Sequence, residues 1–373
     1  MGKGIAKEFE LVFCNEPEQA QNWERFLSQC LQAHIEQTTD WAALKQVYGW
    51  KPVWFWITRN GKILGGAMIQ IRRVKGLADI GYIERGPVWD DSEDDAMGLV
   101  MKALSRVVRS MHLAYLVIVP PYSGEQLVPL LESLHYRHKP ETIPPTGVGR
   151  ATLMIDLQKD IDALLADMSM TKRQNLRRAE RKGVRVRVGD GADAETVREL
   201  MWIGCRRRGI SPAPAQADYF ENLWRLLGPS GKVKFFVAEI DGQPVSAAAA
   251  MVYGGVMQLF RVGWSGMHDK SNPNDLLHWE MIKWAKENGC SFFDFMHINP
   301  DHAQAILRGE TVKDAYSGVT EFKTSFGGKV QLLPAPYYRS YQPLIQFVLK
   351  IGVARIIESG MFHDVLQDTL ASS

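Results

Sequence analysis

Two stretches decide the fold: FWITRNGKILGGAM, Phe55 to Met68, and FVAEIDGQPVSAAA, Phe236 to Ala249. Each is an apolar run, then Asn-Gly or Asp-Gly at the same offset, then a second apolar run rich in small residues. Both central positions of such turns take positive φ, so each stretch predicts a tight β-hairpin. Working outward, each hairpin leads into a further strand, LADIGYIERGPV (Leu77–Val88) and VMQLFRVGW (Val256–Trp264). A run with apolar residues at helical spacing follows: DDAMGLVMKALSRVVRSM (Asp94–Met111) and DLLHWEMIKWAKENG (Asp275–Gly289). Each ends in a buried strand, AYLVIVP (Ala114–Pro120) and SFFDFM (Ser291–Met296). The order hairpin, strand, helix, strand thus occurs twice, which predicts a tandem duplication of one mixed α/β unit. The expected domains are 1–152, joined by the C-terminal 329–373, and 153–328.

A chain of 373 residues suits two domains better than one. Its 46% hydrophobic and 23% charged residues are ordinary for a globular protein, and a net charge of +2 gives no bulk argument for nucleic acid. Cys14, Cys30, Cys205 and Cys290 are scattered, without CxxC spacing or histidines at zinc-ligand intervals. They predict neither a disulfide framework nor a structural metal, and fit a reducing cytoplasm. The N-terminal MGKGIAKEFELVF lacks an apolar core of signal-peptide length, and Ala6 breaks the myristoylation pattern. No apolar run reaches the ~18 residues a membrane span needs.

The repeated order resembles the core of the GNAT acyltransferase fold. Ordinary members carry an Arg/Gln-x-x-Gly-x-Gly/Ala loop that wraps the pyrophosphate of acetyl-CoA, and neither half shows it. WAALKQVYGWKP (Trp41–Pro52), RGPVWD (Arg85–Asp90), KRQNLRRAERKGVRV (Lys172–Val186), RRGIS with DYF (Arg207–Phe220), NDLLHWEMIKWAKENGCSFFDF (Asn274–Phe295) and EFKTSFGG (Glu321–Gly328) follow one another in order. Through them the chain resembles the Fem family of peptidoglycan interpeptide-bridge aminoacyltransferases, in its single-chain FemX type. The long coiled-coil arm of the FemA type is not expected, because residues 171–187 lack sustained apolar heptads.

That resemblance implies a transferase moving an aminoacyl group from aminoacyl-tRNA to a stem-peptide amine of a UDP-linked or lipid-linked muramyl peptide. No metal or redox cofactor is implied, the charged tRNA being a co-substrate, and no DNA partner. An aminoacyl ester is already activated, so aminolysis needs a free amine, orientation and oxyanion stabilisation. The family pattern assigns Lys323, after Phe322, to the oxyanion or the tRNA end, with a surface lysine on a strand as the bland alternative. Lys45 matches a lysine on the precursor's phosphates, where a point charge suits pyrophosphate, with an exposed helix lysine as the bland alternative. Asp90 matches an acidic residue near the acceptor peptide, able to hold the ammonium and take its proton. A capping role is the alternative, although Asp91 or Ser92 could cap instead. By position alone, Arg85 meets the muramyl peptide's carboxylate. Tyr219 aligns with a groove tyrosine, with plain packing as the alternative.

Two departures stand out. Ala215 replaces an arginine that pairs with the phosphate lysine, leaving Arg206, Arg207 or Arg208 as substitutes. Met296 and His297 replace Gly-Gly, which reshapes the acyl-group pocket. The run Lys172 to Arg187 holds eight cations and one acid, Glu180. Arg173, Arg177 and Arg181 share a helical face that, with Lys172, could track phosphates, or could be a solvated face. After it, Leu344, Phe347, Val348, Ile351 and Arg355 lie at helical spacing, which suits packing on the first domain or rest on the inner membrane surface. Rival readings are transfer to a non-murein peptide or protein amine, and a non-catalytic tRNA- or membrane-binding module.

Overall fold

The computed structural model describes residues 9–14, 16–74, 78–138, 149–312, 314 and 317–342. The apolar segment from Leu344 to Arg355 lies outside them. The chain divides into two compact units. The described residues up to His138, with 334–342, form one, and 149–333 form the other.

The first unit contains β1 (Glu10–Phe13), α1 (Pro17–Gln29), α2 (Thr39–Val47), β2 (Lys51–Arg59), β3 (Lys62–Val74), β4 (Ala78–Ile83), β5 (Val88–Trp89), α3 (Ala96–Ser110), β6 (Tyr115–Ile118), α4 (Leu127–Ser133) and β7 (Arg137–His138). The second contains β8 (Ala151–Asp156), α5 (Ile161–Asp167), α6 (Met170–Arg181), β9 (Arg185–Gly189), α7 (Ala194–Arg208), α8 (Tyr219–Leu227), β10 (Val233–Ile240), β11 (Gln243–Tyr253), β12 (Val256–Trp264), α9 (Pro273–Glu287), β13 (Phe292–Asp294), α10 (Pro300–Leu307), α11 (Ser317–Thr324) and β14 (Lys329–Leu332). The chain then returns as β15 (Tyr337–Ser340) to the first unit.

Both hairpins form as their turn residues dictate. Asn60 and Gly61 have φ of 51° and 79°, and Asp241 and Gly242 have 51° and 74°. Each hairpin also has a register shift at the same place, at Ile57/Thr58 between β2 and β3 and at Ala238/Glu239 between β10 and β11. Antiparallel pairing dominates both sheets. The two parallel pairs among the described strands are β4 with β6, across α3, and β12 with β13, across α9. That strand–helix–parallel-strand step is the GNAT core, and it appears once in each unit.

The sheet orders are β1-β2-β3-β4-β6-β15-β7, with β5 on β3, and β14-β8-β13-β12-β11-β10-β9. β14 pairs antiparallel with β8 along residues 151–154. The expected boundaries at 152/153 and 328/329 would therefore split β8 and detach β14 from the sheet whose backbone hydrogen bonds it completes.

Burial follows the apolar stripes. Leu99, Val100, Leu104 and Val107 of α3 and Leu276, Leu277, Met281 and Ile282 of α9 are all buried in their respective cores. Ala247 and Ala249 of β11, on the face opposite Ala248 and Ala250, and Gly263 of β12 keep one sheet face low, and α7 lies on the sheet there. A Cβ on Gly263 would overlap the Met201 backbone of α7. We expect Gly263→Ala to cost about 3 kcal/mol, because backbone rather than a side-chain tip would have to move. Chemical denaturation checks this; a loss below about 1 kcal/mol would show that α7 can slide on the sheet.

Candidate active site and comparison with known proteins

In the second unit the site is built at the end of β13. Asp294, fully buried, accepts hydrogen bonds from the Thr152 hydroxyl and from the Met296 amide, the latter at 2.7 Å. These contacts stop the strand and turn the chain. Met296 and His297 then take φ of 50° and 32°, a left-handed conformation that costs non-glycine residues energy and needs support. The support comes from Lys323, near the end of α11. Its Nζ donates to the carbonyl oxygens of Phe295, Met296 and His297 at 3.0, 2.7 and 2.8 Å. Lys323 therefore lies on a helix, not a strand, and is half-buried rather than a free surface cation. Burial lowers its pKa to about 8, with the Asp294 carboxylate opposing the shift.

Phe322, Phe326, Phe295 and His278 pack behind this ammonium. The His278 ring stacks on Phe295 at 5.5 Å, and Phe322 meets Phe326 at 5.4 Å. His278 Nδ1 donates to the Asn274 carbonyl at 2.6 Å. Burial brings its pKa down to about 4, aided by the charges of Lys172 and Lys323. It is neutral at physiological pH.

The basic run divides in two. Lys172 is buried, ion-paired with Asp275 at the start of α9, and its Nζ lies 3.9 and 4.2 Å from the ring centroids of Phe322 and Phe326. Arg173 donates to the carbonyls of Leu165, Ala166 and Met168, closing the end of α5. These two are internal braces and not a phosphate-facing surface. Arg177 and Arg181 are exposed on α6.

Tyr219 and Arg207 belong to the same unit. Tyr219 is buried, stacked on Phe260 and edge-on to Phe220, so it packs in the core and does not line a groove. Arg207 is exposed and lies over the Trp264 ring at 4.6 Å. Near the arginine-less Ala215, Arg261 of β12 donates from Nε to the Ala213 carbonyl at 2.5 Å. A cation from a sheet strand thus reaches this loop, which spacing along the chain gave no means of finding.

The first unit gathers a buried polar cluster. Lys45 is fully buried, 4.0 Å from Glu84 and 4.9 Å from the Trp41 ring centre. Trp41 Nε1 and Gln70 Nε2 donate to the same Glu84 oxygen at 3.2 and 3.5 Å. Burial, then the neighbouring Glu84 carboxylate, push Glu36 up to about 7. In this conformation Lys45 meets a carboxylate and offers no exposed surface to a phosphate. Arg85, with φ of 50°, is also buried. Its guanidinium donates to the Pro120 carbonyl at 3.4 Å and covers the Tyr122 ring at 4.4 Å.

The acidic row after Pro87 clasps the hairpin turn. Lys62 pairs with Asp90 at 2.8 Å and Glu93 at 3.0 Å, while Arg59 pairs with Asp95 at 2.5 Å. Asp90 borders a groove of about 660 Å³ that also includes Arg25, Cys30, Trp56 and Trp89. Hydrogen bonds from Lys62 and Ser92 bring its pKa down to about 2. So weak a base fits an ion-pairing role better than proton acceptance at neutral pH. Its folded pKa lies below the unfolded value of about 4, so its contribution to stability is present above that value and is lost as pH falls towards 2. We expect the difference in Tm between wild type and Asp90→Asn to stay flat from about pH 5 to pH 8; a marked slope there would contradict this assignment.

A family model described as acetyltransferase (GNAT) domain matches residues 170–304. The lipid II:glycine glycyltransferase of Staphylococcus aureus (strain MRSA252) is 26% identical over 233 residues, covering 59% of this chain and 54% of that protein. The crystal structure of FemX superposes with a TM-score of 0.78 at 20% identity, over 90% of this chain and 99% of FemX. The chain shares the fold of FemX, two GNAT units in tandem. A tandem GNAT protein from the clavulanic acid biosynthesis pathway matches less well, with a TM-score of 0.52 at 10% identity over 90% of this chain and 99% of that one. The chain spans about half the length of the curated relatives it matches.

Missed in the sequence were the buried partners Asp275, Asp294 and Glu84. Each lies inside or beside a stretch carrying the Fem resemblance, but only a spatial contact gives it a role. Among the described residues, no group of three or more His, Cys, Asp or Glu is placed to hold a metal ion, and no helix is long and apolar enough to cross a membrane.

Proposed function

We propose that the chain is an aminoacyltransferase that takes an aminoacyl group from aminoacyl-tRNA and joins it to a stem-peptide amine of a muramyl-peptide precursor. The relation to a lipid II:glycine glycyltransferase over 233 residues carries this reading and favours a lipid-linked acceptor over a UDP-linked one. In the reaction the acceptor amine attacks the ester carbonyl, an amide C–N bond forms and the ester C–O bond breaks. The tRNA ribose hydroxyl leaves with a proton, and the amine loses one. Aminolysis of an activated ester donor needs no metal or redox group, only orientation and charge stabilisation.

Lys323 and its carbonyl turn are the centre of that chemistry in this reading. All three ammonium protons are directed at backbone carbonyls. The ammonium therefore shapes the 295–297 turn and places positive charge there. It would meet a developing oxyanion by exchanging one carbonyl for it. A lipid-linked acceptor places the enzyme at the inner face of the membrane. The test is transfer of radiolabel from a pool of charged tRNAs to UDP-linked and lipid-linked muramyl pentapeptide, offered separately. Label on the lipid-linked form supports the reading in full. Binding of tRNA without label on either acceptor would move the acceptor outside murein.

A further inference from the structure

The basic run is sorted by its surroundings, and the sorting leaves one face open. Lys172 and Arg173 are committed to Asp275 and to the end of α5, and Arg187 to Asp193 and Glu239 at 2.7 and 2.8 Å. Arg177, Arg178, Arg181, Lys182 and Arg185 remain exposed, and none has a carboxylate partner among the described residues. Gln174, Arg177, Arg178 and Arg181 line a shallow concavity of about 550 Å³, with Glu180 the single acid in it. β9, which continues the run, is the outer strand of its sheet, so these cations stand at an open edge.

We infer that the C-terminal half of α6, with the start of β9, is a docking face for the phosphate backbone of RNA. This rests on the tRNA-dependent reading proposed above and assigns its polyanion contact. Guanidinium groups bind phosphate oxygens through paired N–H donors, and several unpaired ones on a single face give strength without base selectivity. Residues 174–187 contain no aromatic side chain that could stack on a base. A membrane face is the competing use of such charge. An interfacial helix, however, presents apolar side chains beside its cations, whereas here the exposed large apolar residues of these two elements, Met170 at the start of α6 and Val188 in β9, flank the cations and none lies among residues 174–187. Leu176 and Ala179 of this helix point into the core.

The test is anisotropy of fluorescent uncharged tRNA titrated with the full chain between about 50 and 200 mM salt. The triple variant R177A/R178A/R181A is expected to bind at least about tenfold more weakly at ~100 mM salt, with the slope of log affinity against log salt reduced by about 2. R177K/R178K/R181K should keep most of the affinity, because phosphate reads charge, and it guards against a folding defect in the alanine variant. R308A serves as the control, since Arg308 is exposed but paired with Glu310, and should change neither quantity. If wild type binds tRNA and the alanine variant keeps both affinity and slope, this face is not the RNA site while the tRNA reading stands. Loss of binding to phosphatidylglycerol vesicles with tRNA binding intact would overturn the proposal in favour of a membrane face. If wild type binds no tRNA at all, the tRNA reading fails, and this assignment with it.

Discussion

Lys323→Met should lower the rate of aminoacyl transfer by about 100-fold or more while leaving tRNA affinity within about twofold. Methionine fills a similar volume but removes the ammonium that binds three consecutive carbonyls. The turn through Met296 and His297, held at positive φ, then loses its support. Stability should change much less than rate. The variant leaves carbonyls unpaired, but it also removes the cost of burying a charge, and these effects oppose each other.

The pH dependence gives a second handle on the same residue. Lys323 has a folded pKa of about 8, below the ordinary value for lysine. If the cation is the active form, turnover falls as pH rises through about 8. Lys323→Arg keeps its charge at any working pH and should push that falling limb upward, whatever its effect on the maximum rate. The stability consequence has the opposite sign to that of a stabilised cation. Between about 8 and 10.4 the unfolded chain holds a proton that folded Lys323 has released, so wild type should gain stability relative to Lys323→Met across that window. A pH–rate profile identical in wild type and Lys323→Arg would remove Lys323 as the titrating group.

The largest stability effect is expected at Lys172 and Asp275. Both are buried and paired, and Asn175 Nδ2 adds a contact to Asp275 at 3.4 Å. Removing one partner leaves a buried charge without its complement, which costs about 3–5 kcal/mol. The two losses should differ. Asp275 stands in the first turn of α9, where the helix dipole favours a negative charge, so Lys172→Met leaves a partly supported carboxylate. Asp275→Leu leaves an ammonium whose pKa is already lowered, first by burial, and which can discharge. The double variant K172M/D275L should recover much of either single loss, because apolar residues of similar volume need no partner. Denaturation midpoints of the three variants measure this, with near-additive losses speaking against a coupled pair. Turnover should fall in Lys172→Met even where the protein stays folded, because the Lys172 ammonium lies against the Phe322 ring, next in sequence to Lys323.

The resemblance to the Fem family drew attention to Lys45 and Lys323 alike, yet the two end in different surroundings. Lys323 reaches a strained turn at a strand end, a place where chemistry can be arranged. Lys45 lies under Glu84 and Trp41, inside the first unit. Nothing in WAALKQVYGW distinguishes a lysine bound for the surface from one bound for a buried carboxylate, because Glu84 is on another element. The same holds for Tyr219, whose core position depends on Phe260 of β12.

Local geometry and its repetition follow from residues adjacent in the chain. Asn60-Gly61 and Asp241-Gly242 dictate their turns because their own backbones tolerate positive φ. The stripes on α3 and α9 declare their buried faces through spacing alone. Two copies of one order then imply two sheets with one parallel crossover each. Which charges are paired internally depends on contacts made in the folded protein. Lys172 and Arg177 look alike in KRQNLRRAERK, but one meets Asp275, 103 residues away, and the other meets solvent. A side chain's charge acts through its dielectric surroundings and its nearest partner, and both are supplied by distant segments that only folding brings into contact.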